Sequence, residues 1–490
     1  VSARSDSASR HETIPARSVF IGLLVVVALA PLPLGSARPW SWSLLALAVG
    51  ALLLAWCVLA TRRTGVATVP VRRIAVPLFC FGAGVAWTAL QTVSWTPAAW
   101  HHPAWAEAAT ALGRELEGAI ALDPAAGRDG VMRLLTYAGM FWLALNYGVR
   151  RANARRVLWL LACVGAAYAA YGMYEDLSGS AHILWLEKWA YVDVSTGPFV
   201  NRNTFATYAG IGLVVTLGLL ASELGAVAHL ERIDRAGIVF FFEHLRTRHF
   251  LLVLMAAVIG VALLLSESRA GLIATILGIS VLPLTLPIRR IQHAGTVVAF
   301  AAVAIVGAFL LLQLGGQAVV NRLAKLSHGD SGRAAVHALA LEAIADRPSL
   351  GSGLGSFPMV FQAYWTEHVA PKGPPFRRAH NTYLTLALEA GLPAALLIGV
   401  APLAMVGLCA YGVAMRRRSA EFPCIGLGVS ALVGSHALVD FSLEIPAVAV
   451  TYMALMGVCC AQSWPTADRE LGQNHIDQPI NFGAPPGHSR

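Results

Sequence analysis

Charge is what this chain has least of. Asp, Glu, Lys and Arg make up 13% of its 490 residues, about half the share of an ordinary soluble domain. So little charge excludes a water-soluble globular protein and leaves most of the chain facing lipid or other helices. Acidic residues are scarcer than basic ones, 27 against 36, for a formal net charge of +9. That surplus does not mark a nucleic-acid binder, because the arginines fall in short runs between apolar segments, where they orient helices in a membrane. Cysteine is sparse as well. Cys57, Cys80, Cys163, Cys409, Cys424, Cys459 and Cys460 all lie in apolar stretches without ligand-like spacing to histidine. They are expected to be small buried hydrophobes, not a disulfide framework or a zinc site. No internal repeat is visible, and residues 1–17 are polar without a cleavable signal pattern.

What the chain has instead is apolar runs, with 57% hydrophobic residues and a mean hydropathy of +0.62. A helix needs about 20 such residues to cross the hydrocarbon. Candidate spans are 18–36, 40–60, 74–93, 132–149, 157–174, 204–222, 250–266, 270–288, 293–315, 392–413, 422–439 and 446–463. The expected fold is therefore an all-α polytopic membrane protein of about twelve helices. Arginines recur at every second connection: Arg62, Arg63, Arg72 and Arg73, then Arg150, Arg151, Arg155 and Arg156, then Arg232, Arg235, Arg246 and Arg248 diluted by Glu231, Asp234 and Glu243, then Arg289 and Arg290, then Arg416, Arg417 and Arg418. That alternation puts both termini in the cytoplasm. It divides the chain into a disordered cytoplasmic stretch 1–17, helices one to nine over 18–315, a large partly helical outer loop 316–391, helices ten to twelve over 392–463, and a disordered tail 464–490. Within the large loop, RAAVHALALEAIAD (333–346) has helical character ended by Arg347 and Pro348. GSGLGSF (351–357) reads as a flexible turn; no strand precedes it and no Lys-Ser/Thr follows, so it is not a nucleotide loop.

Ionisable groups inside a membrane bundle are costly and therefore candidates for function. Four stretches carry them, all on the expected outer side. In GPFVNRNTFATY (197–208), Asn201, Arg202 and Asn203 form a polar collar, either an interfacial cap or a hydrogen-bonding rim. In SESRAG (266–271), Arg269 either pairs with Glu267 or binds an anion. In DSGRAAVH (330–337), Arg333 stands near a helix start that Asp330 or Ser331 can cap, a place suited to phosphate oxygens. In RRAHNTYLTLALEAG (377–391), Arg377, Arg378, His380 and Asn381 precede an apolar helix that contains Glu389. Helical spacing turns Glu389 away from His380, which favours a structural hydrogen bond for it. Beyond these, His436, Asp440 and Glu444 form a polar cluster able to pair with the arginines. One partner suits the whole set: a lipid-linked diphosphate, gripped by arginines, beside a histidine that accepts a proton from an attacking hydroxyl.

Several of these stretches also resemble a known family. SRAG (268–271), the Arg333 segment with RPSLGSGLGSF (347–357), and HNTYLTLALEAG (380–391) closely resemble the bacterial O-antigen ligase and polymerase superfamily. PLPLGSARPWSW (31–42), GPFVNRNTFA (197–206) and HALVDFSLEIPA (436–447) are similar to its recurring stretches too. The resemblance implies a GT-C-like inner-membrane glycosyltransferase, inverting, without metal or other cofactor, acting at the periplasmic face. Its donor would be a glycan on undecaprenyl diphosphate. Its acceptor would be lipid A-core for a ligase, a growing glycan for an O-antigen or exopolysaccharide polymerase, or a protein hydroxyl. Carried over by motif, Arg269 and Arg333 would bind diphosphate and His380 would assist the acceptor; Arg377 and Arg378 would help without a firm counterpart. The outer loops lack an Asp-x-Asp pair, although Glu175 and Asp176 leave an opening for a cation. The competing class is a twelve-helix transporter of polysaccharide or lipid, against which stand the missing half-to-half repeat and the lack of midplane charge pairs.

Overall fold

The computed structural model describes residues 13–62, 66, 68–227, 247–285, 331–364, 377–416 and 420–464. Helices dominate because apolar runs in lipid must satisfy their backbone groups internally. In chain order they are α1 (Ile14–Leu29), α2 (Pro39–Thr61), α3 (Ala75–Leu90), α4 (Ala104–Leu112), α5 (Pro124–Gly148), α6 (Arg151–Leu177), α7 (Arg202–Val227) and α8 (Thr247–Leu265). There follow α9 (Arg269–Thr285), α10 (Ser331–Asp346), α11 (Phe357–Ala363), α12 (Thr382–Ala390), α13 (Leu392–Met415), α14 (Glu421–His436) and α15 (Pro446–Ala461). Among the described residues, sheet is confined to an antiparallel hairpin of β1 (His182–Ile183) and β2 (Leu186–Glu187). Among the described residues, six helices are long and apolar enough to cross a membrane: α2, α3 with its preceding turn, α6, α7, α8 and α13. Helices α1, α9 and α15 are apolar but shorter.

Burial sorts the bundle. The apolar window of α7 is 100% buried against 17% for that of α2 and of α3, so α7 is the axis, and α2 and α3 present most of their surface outward. Around α7 lie α6, α8, α9 and α14, while α5 packs on α15 and α3 on α13. Small residues let α9 and α14 cross closely. A Cβ on Gly278 would stand 2.7 Å from the carbonyl oxygen of Gly428, and one on Gly428 would stand 2.8 Å from that of Gly278. Membrane helices use small residues for such approaches because lipid supplies no hydrophobic drive between them.

The predicted spans fall on helices, with corrections at several ends; the span 293–315 lies outside the described residues. The first helix begins at Ile14, inside the stretch expected to be disordered, with Pro15 in its first turn, and it stops at Leu29 instead of continuing to residue 36. Pro31 and Pro33 follow that stop; proline lacks the N–H that a continuing helix needs. The chain then makes a 3₁₀ turn, Leu34–Ser36. Helix α5 starts at Pro124, earlier than the expected 132, because Asp123 caps it, accepting from Ala125 N and Ala126 N at 3.0 Å each. The cysteines split: Cys409, Cys424, Cys459 and Cys460 are buried, but Cys57 and Cys163 are exposed and Cys80 is intermediate. An outward-facing cysteine is compatible with the apolar helices that carry it.

The stretch 351–357 differs most from expectation. Far from a flexible turn, it is nearly all buried. Ser352 N and Gly353 N both donate to the carbonyl of Glu389, at 3.1 and 2.8 Å. Gln91, at the end of α3, donates to the same carbonyl at 3.2 Å, and Trp87 donates to that of Ala390 at 3.1 Å. Arg347 reaches back to the carbonyl oxygens of Gly351 and Trp100 at 3.0 and 2.8 Å. Glycine is required here by both geometry and space: Gly351 has φ +67°, and a Cβ on it would stand 2.4 Å from the oxygen of Glu389. The loop thereby ties α12 to the ends of α3 and α5.

Candidate active site

At one end of the bundle, the starts of α7, α9 and α12 meet the connection between α14 and α15. Ser268 caps α9, its Oγ accepting from Gly271 N at 3.2 Å and donating to Asn203 Oδ1 at 2.7 Å. Asn203 passes the chain on, its Nδ2 donating to Asp440 Oδ1 at 3.1 Å. That same carboxylate oxygen lies 3.8 Å from His380 Nδ1. Ser442 Oγ donates to the other oxygen of Asp440. Thr207 Oγ1 stands 2.9 Å from Ser442 Oγ and 2.6 Å from His436 Nδ1. Ser268, Asn203, Thr207, His436, Asp440 and Ser442 are all buried, whereas the His380 side chain keeps 20% of its surface open. The network thus runs from the helix start that bears Arg269 to an accessible imidazole.

Buried polar groups hold a unique geometry only when they are satisfied, and Asp440 is the best supplied. Burial by itself raises its carboxyl pKa. The approach of His380, the nearby His436, and the bonds from Ser442 and Asn203 outweigh burial and hold the group below the usual carboxylate range. It is therefore a carboxylate facing an imidazole. The His380 backbone is left-handed, with φ +53°, and Glu267 before α9 has φ +51°. Such conformations are uncommon outside glycine and concentrate at functional sites. The His380 ring meets Phe441 edge-on at 5.0 Å, and Thr382 N donates to the carbonyl of Ala437 at 2.9 Å. Together these pin the start of α12 to the end of α14.

The residues singled out in the sequence take different places. Arg269 is exposed at the first position of α9. Its suggested partner Glu267 faces Arg202 instead, at 3.7 Å, with the Arg202 guanidinium 5.6 Å from the ring centre of Tyr191. Arg333 falls in α10, and its side chain lies outside the described residues. Arg378 pairs with Glu444 and covers the Phe441 ring at 4.9 Å, while Arg377 is exposed. Asn201 and Asn381 act on backbone. Asn201 Oδ1 accepts from Asn203 N at 2.7 Å; Asn381 Oδ1 caps α12, accepting from Tyr383 N and Leu384 N at 3.0 and 3.1 Å.

Glu389 stands apart from the histidine, as its spacing predicts, and its carboxylate accepts from Phe357 N at 3.2 Å. Burial pushes its carboxyl up to about 7. The cation opening at Glu175 and Asp176 is closed at Glu175, whose carboxylate lies 2.9 Å from the equally buried Lys188 ammonium. Sequence reasoning passed over Thr207 and Ser442, which carry no signal beyond being hydroxyls near marked residues. Ser268 had one: a serine directly before the first helical residue is a cap in the making.

The segment from α8 to the first turns of α13 holds Arg269, Arg333, Arg377, Arg378, His380, Asn381 and Glu389, and Asn203, His436 and Asp440 reach it from outside. Residues 250–399 match a family model described as O-antigen ligase. No curated protein matches the chain. That segment is therefore similar to the O-antigen ligase family, in line with the resemblance carried by SRAG and HNTYLTLALEAG.

Proposed function

We propose that this protein transfers a glycan from undecaprenyl diphosphate to an acceptor hydroxyl, with lipid A-core as the acceptor, at the periplasmic face of a bacterial inner membrane. The observation that carries the reading is the Asp440 carboxylate facing His380 Nδ1, linked through Asn203 and Ser268 to the start of the Arg269 helix. With Nδ1 turned to Asp440, Nε2 is the nitrogen that this reading assigns to the acceptor. The acceptor O–H gives its proton to Nε2 as its oxygen bonds to the anomeric carbon. The bond from that carbon to the diphosphate oxygen breaks, with inversion, and the carrier leaves as its diphosphate. Arg269 and Arg333 balance the charge that gathers on the departing group, and Asp440 stabilises the imidazolium. A twelve-span topology with both termini cytoplasmic belongs to this reading, as does a role for Arg377 near the diphosphate. Arg378, already held by Glu444, then shapes the wall more than it grips the ligand.

The test uses isolated membranes supplied with lipid-linked oligosaccharide. Covalent transfer to an acceptor is expected; movement of the oligosaccharide across the membrane with no new bond would point to a transporter and reject the enzyme reading. A deletion strain then separates acceptors. Core lacking polymer is the ligase result, and a single repeat unit on core would make the protein a polymerase.

A further inference from the structure

Helices α2, α3 and α5 enclose a groove of about 390 Å³, within the range of sites that take small or single-chain ligands. Gly50, Leu53, Ala89, Met132 and Leu135 make its walls apolar, and Arg128 stands at one end. Arg128 lies in the first turns of α5, is exposed, and makes no ion pair among the described residues. Nothing lies within 4 Å of where a Cβ on Gly50 would be, so that wall is open space. Beyond Thr92 of the lining, the chain that follows α3 carries Trp95, 76% exposed, and Trp100, 39% exposed. Exposed tryptophans of this kind mark the depth of lipid head groups.

The two faces of α5 tell which lipid. Arg128, Met132 and Leu135 follow helical spacing on the groove side. Arg133 and Tyr137 lie on the opposite face, where the charges of Arg378 and Glu444 reach Tyr137. The groove therefore turns away from the candidate active site and opens beside the outward-facing α2 and α3. We infer that this groove holds one acyl chain of an anionic membrane phospholipid, with its phosphate on Arg128. The Arg128 end of the groove also has a structural consequence. Thr92 abuts Gly127, and Leu354 of the buried glycine loop abuts Gly130, so an occupied groove braces the wall on which that loop rests.

The test is native mass spectrometry of the full-length protein in detergent, titrated with phosphatidylglycerol, phosphatidylcholine or undecaprenyl phosphate. A single arginine near the surface predicts a preference for phosphatidylglycerol over phosphatidylcholine of about fivefold. Gly50→Leu, which fills open space and adds a better helix former, should abolish retention while the protein stays folded. Arg128→Gln should keep chain binding and erase the head-group preference. Equal retention of the two phospholipids, unchanged binding in Gly50→Leu, or displacement of phosphatidylglycerol by undecaprenyl phosphate would each overturn the inference. Because binding is read without transfer, the result stands apart from the glycosyltransferase reading.

Discussion

Asp440 is the residue on which the candidate site turns. It takes two side-chain hydrogen bonds, from Asn203 and Ser442, and offers its charge to His380. Asp440→Asn removes the charge and keeps an oxygen for Asn203, while the Ser442 hydroxyl can turn to accept from the new amide N–H. On the proposed mechanism, turnover of the variant should fall by on the order of 10²–10⁴-fold, the usual worth of acid–base assistance. Donor affinity and thermal stability should stay close to wild type, which separates a positioning role from a structural one. Turnover unchanged in Asp440→Asn would make the carboxylate a packing element. At this scale the sequence was informative where chemistry is rare. A histidine, an asparagine or an aspartate beside a membrane helix is visible at once, whereas Thr207 and Ser442 are indistinguishable from dozens of other hydroxyls until the helices are in place.

At the scale of elements, the junction of α12, the glycine loop and α11 has its own pH dependence. Glu389 moves from an ordinary value of 4.5 to about 7 in the folded chain. Between those values the folded protein keeps a proton that the unfolded chain has lost. Its contribution is therefore complete below about pH 4.5 and declines as pH rises to about 7, by about 3 kcal/mol in all. Glu389→Gln should flatten that decline, so that its melting temperature changes less than wild type between about pH 5 and pH 7.5. Parallel curves for the two proteins would mean that Glu389 does not titrate there. Helix positions were legible from apolar runs, since α2, α6, α7, α8 and α13 follow them closely. Ends were less so, because they depend on proline punctuation after α1 and on the Asp123 cap of α5. The glycine loop could not be read at all. Its burial comes from α3 and α12, hundreds of residues apart in Gln91 and Glu389, and no local pattern records that meeting.

For the whole molecule, one asymmetry organises the rest. Helix α7, whose apolar window is fully buried, forms the axis, and the polar network at its start draws in the opening residues of α9 and α12 and the turn before α15. The family match covers α8 to the start of α13, yet the carboxylate that faces His380 and the amide that holds that carboxylate come from beyond it. A site assembled from such distant segments needs the entire bundle to be in register, which is why its fold and its chemistry are hard to separate. The most direct measurement is glycan transfer from a polyprenyl-diphosphate donor by purified wild-type protein and by His380→Ala and Arg269→Ala, each checked for intact folding. The account predicts transfer by the wild type and its loss, by at least about 10²-fold, in both variants. Wild-type rates in either folded variant would contradict it.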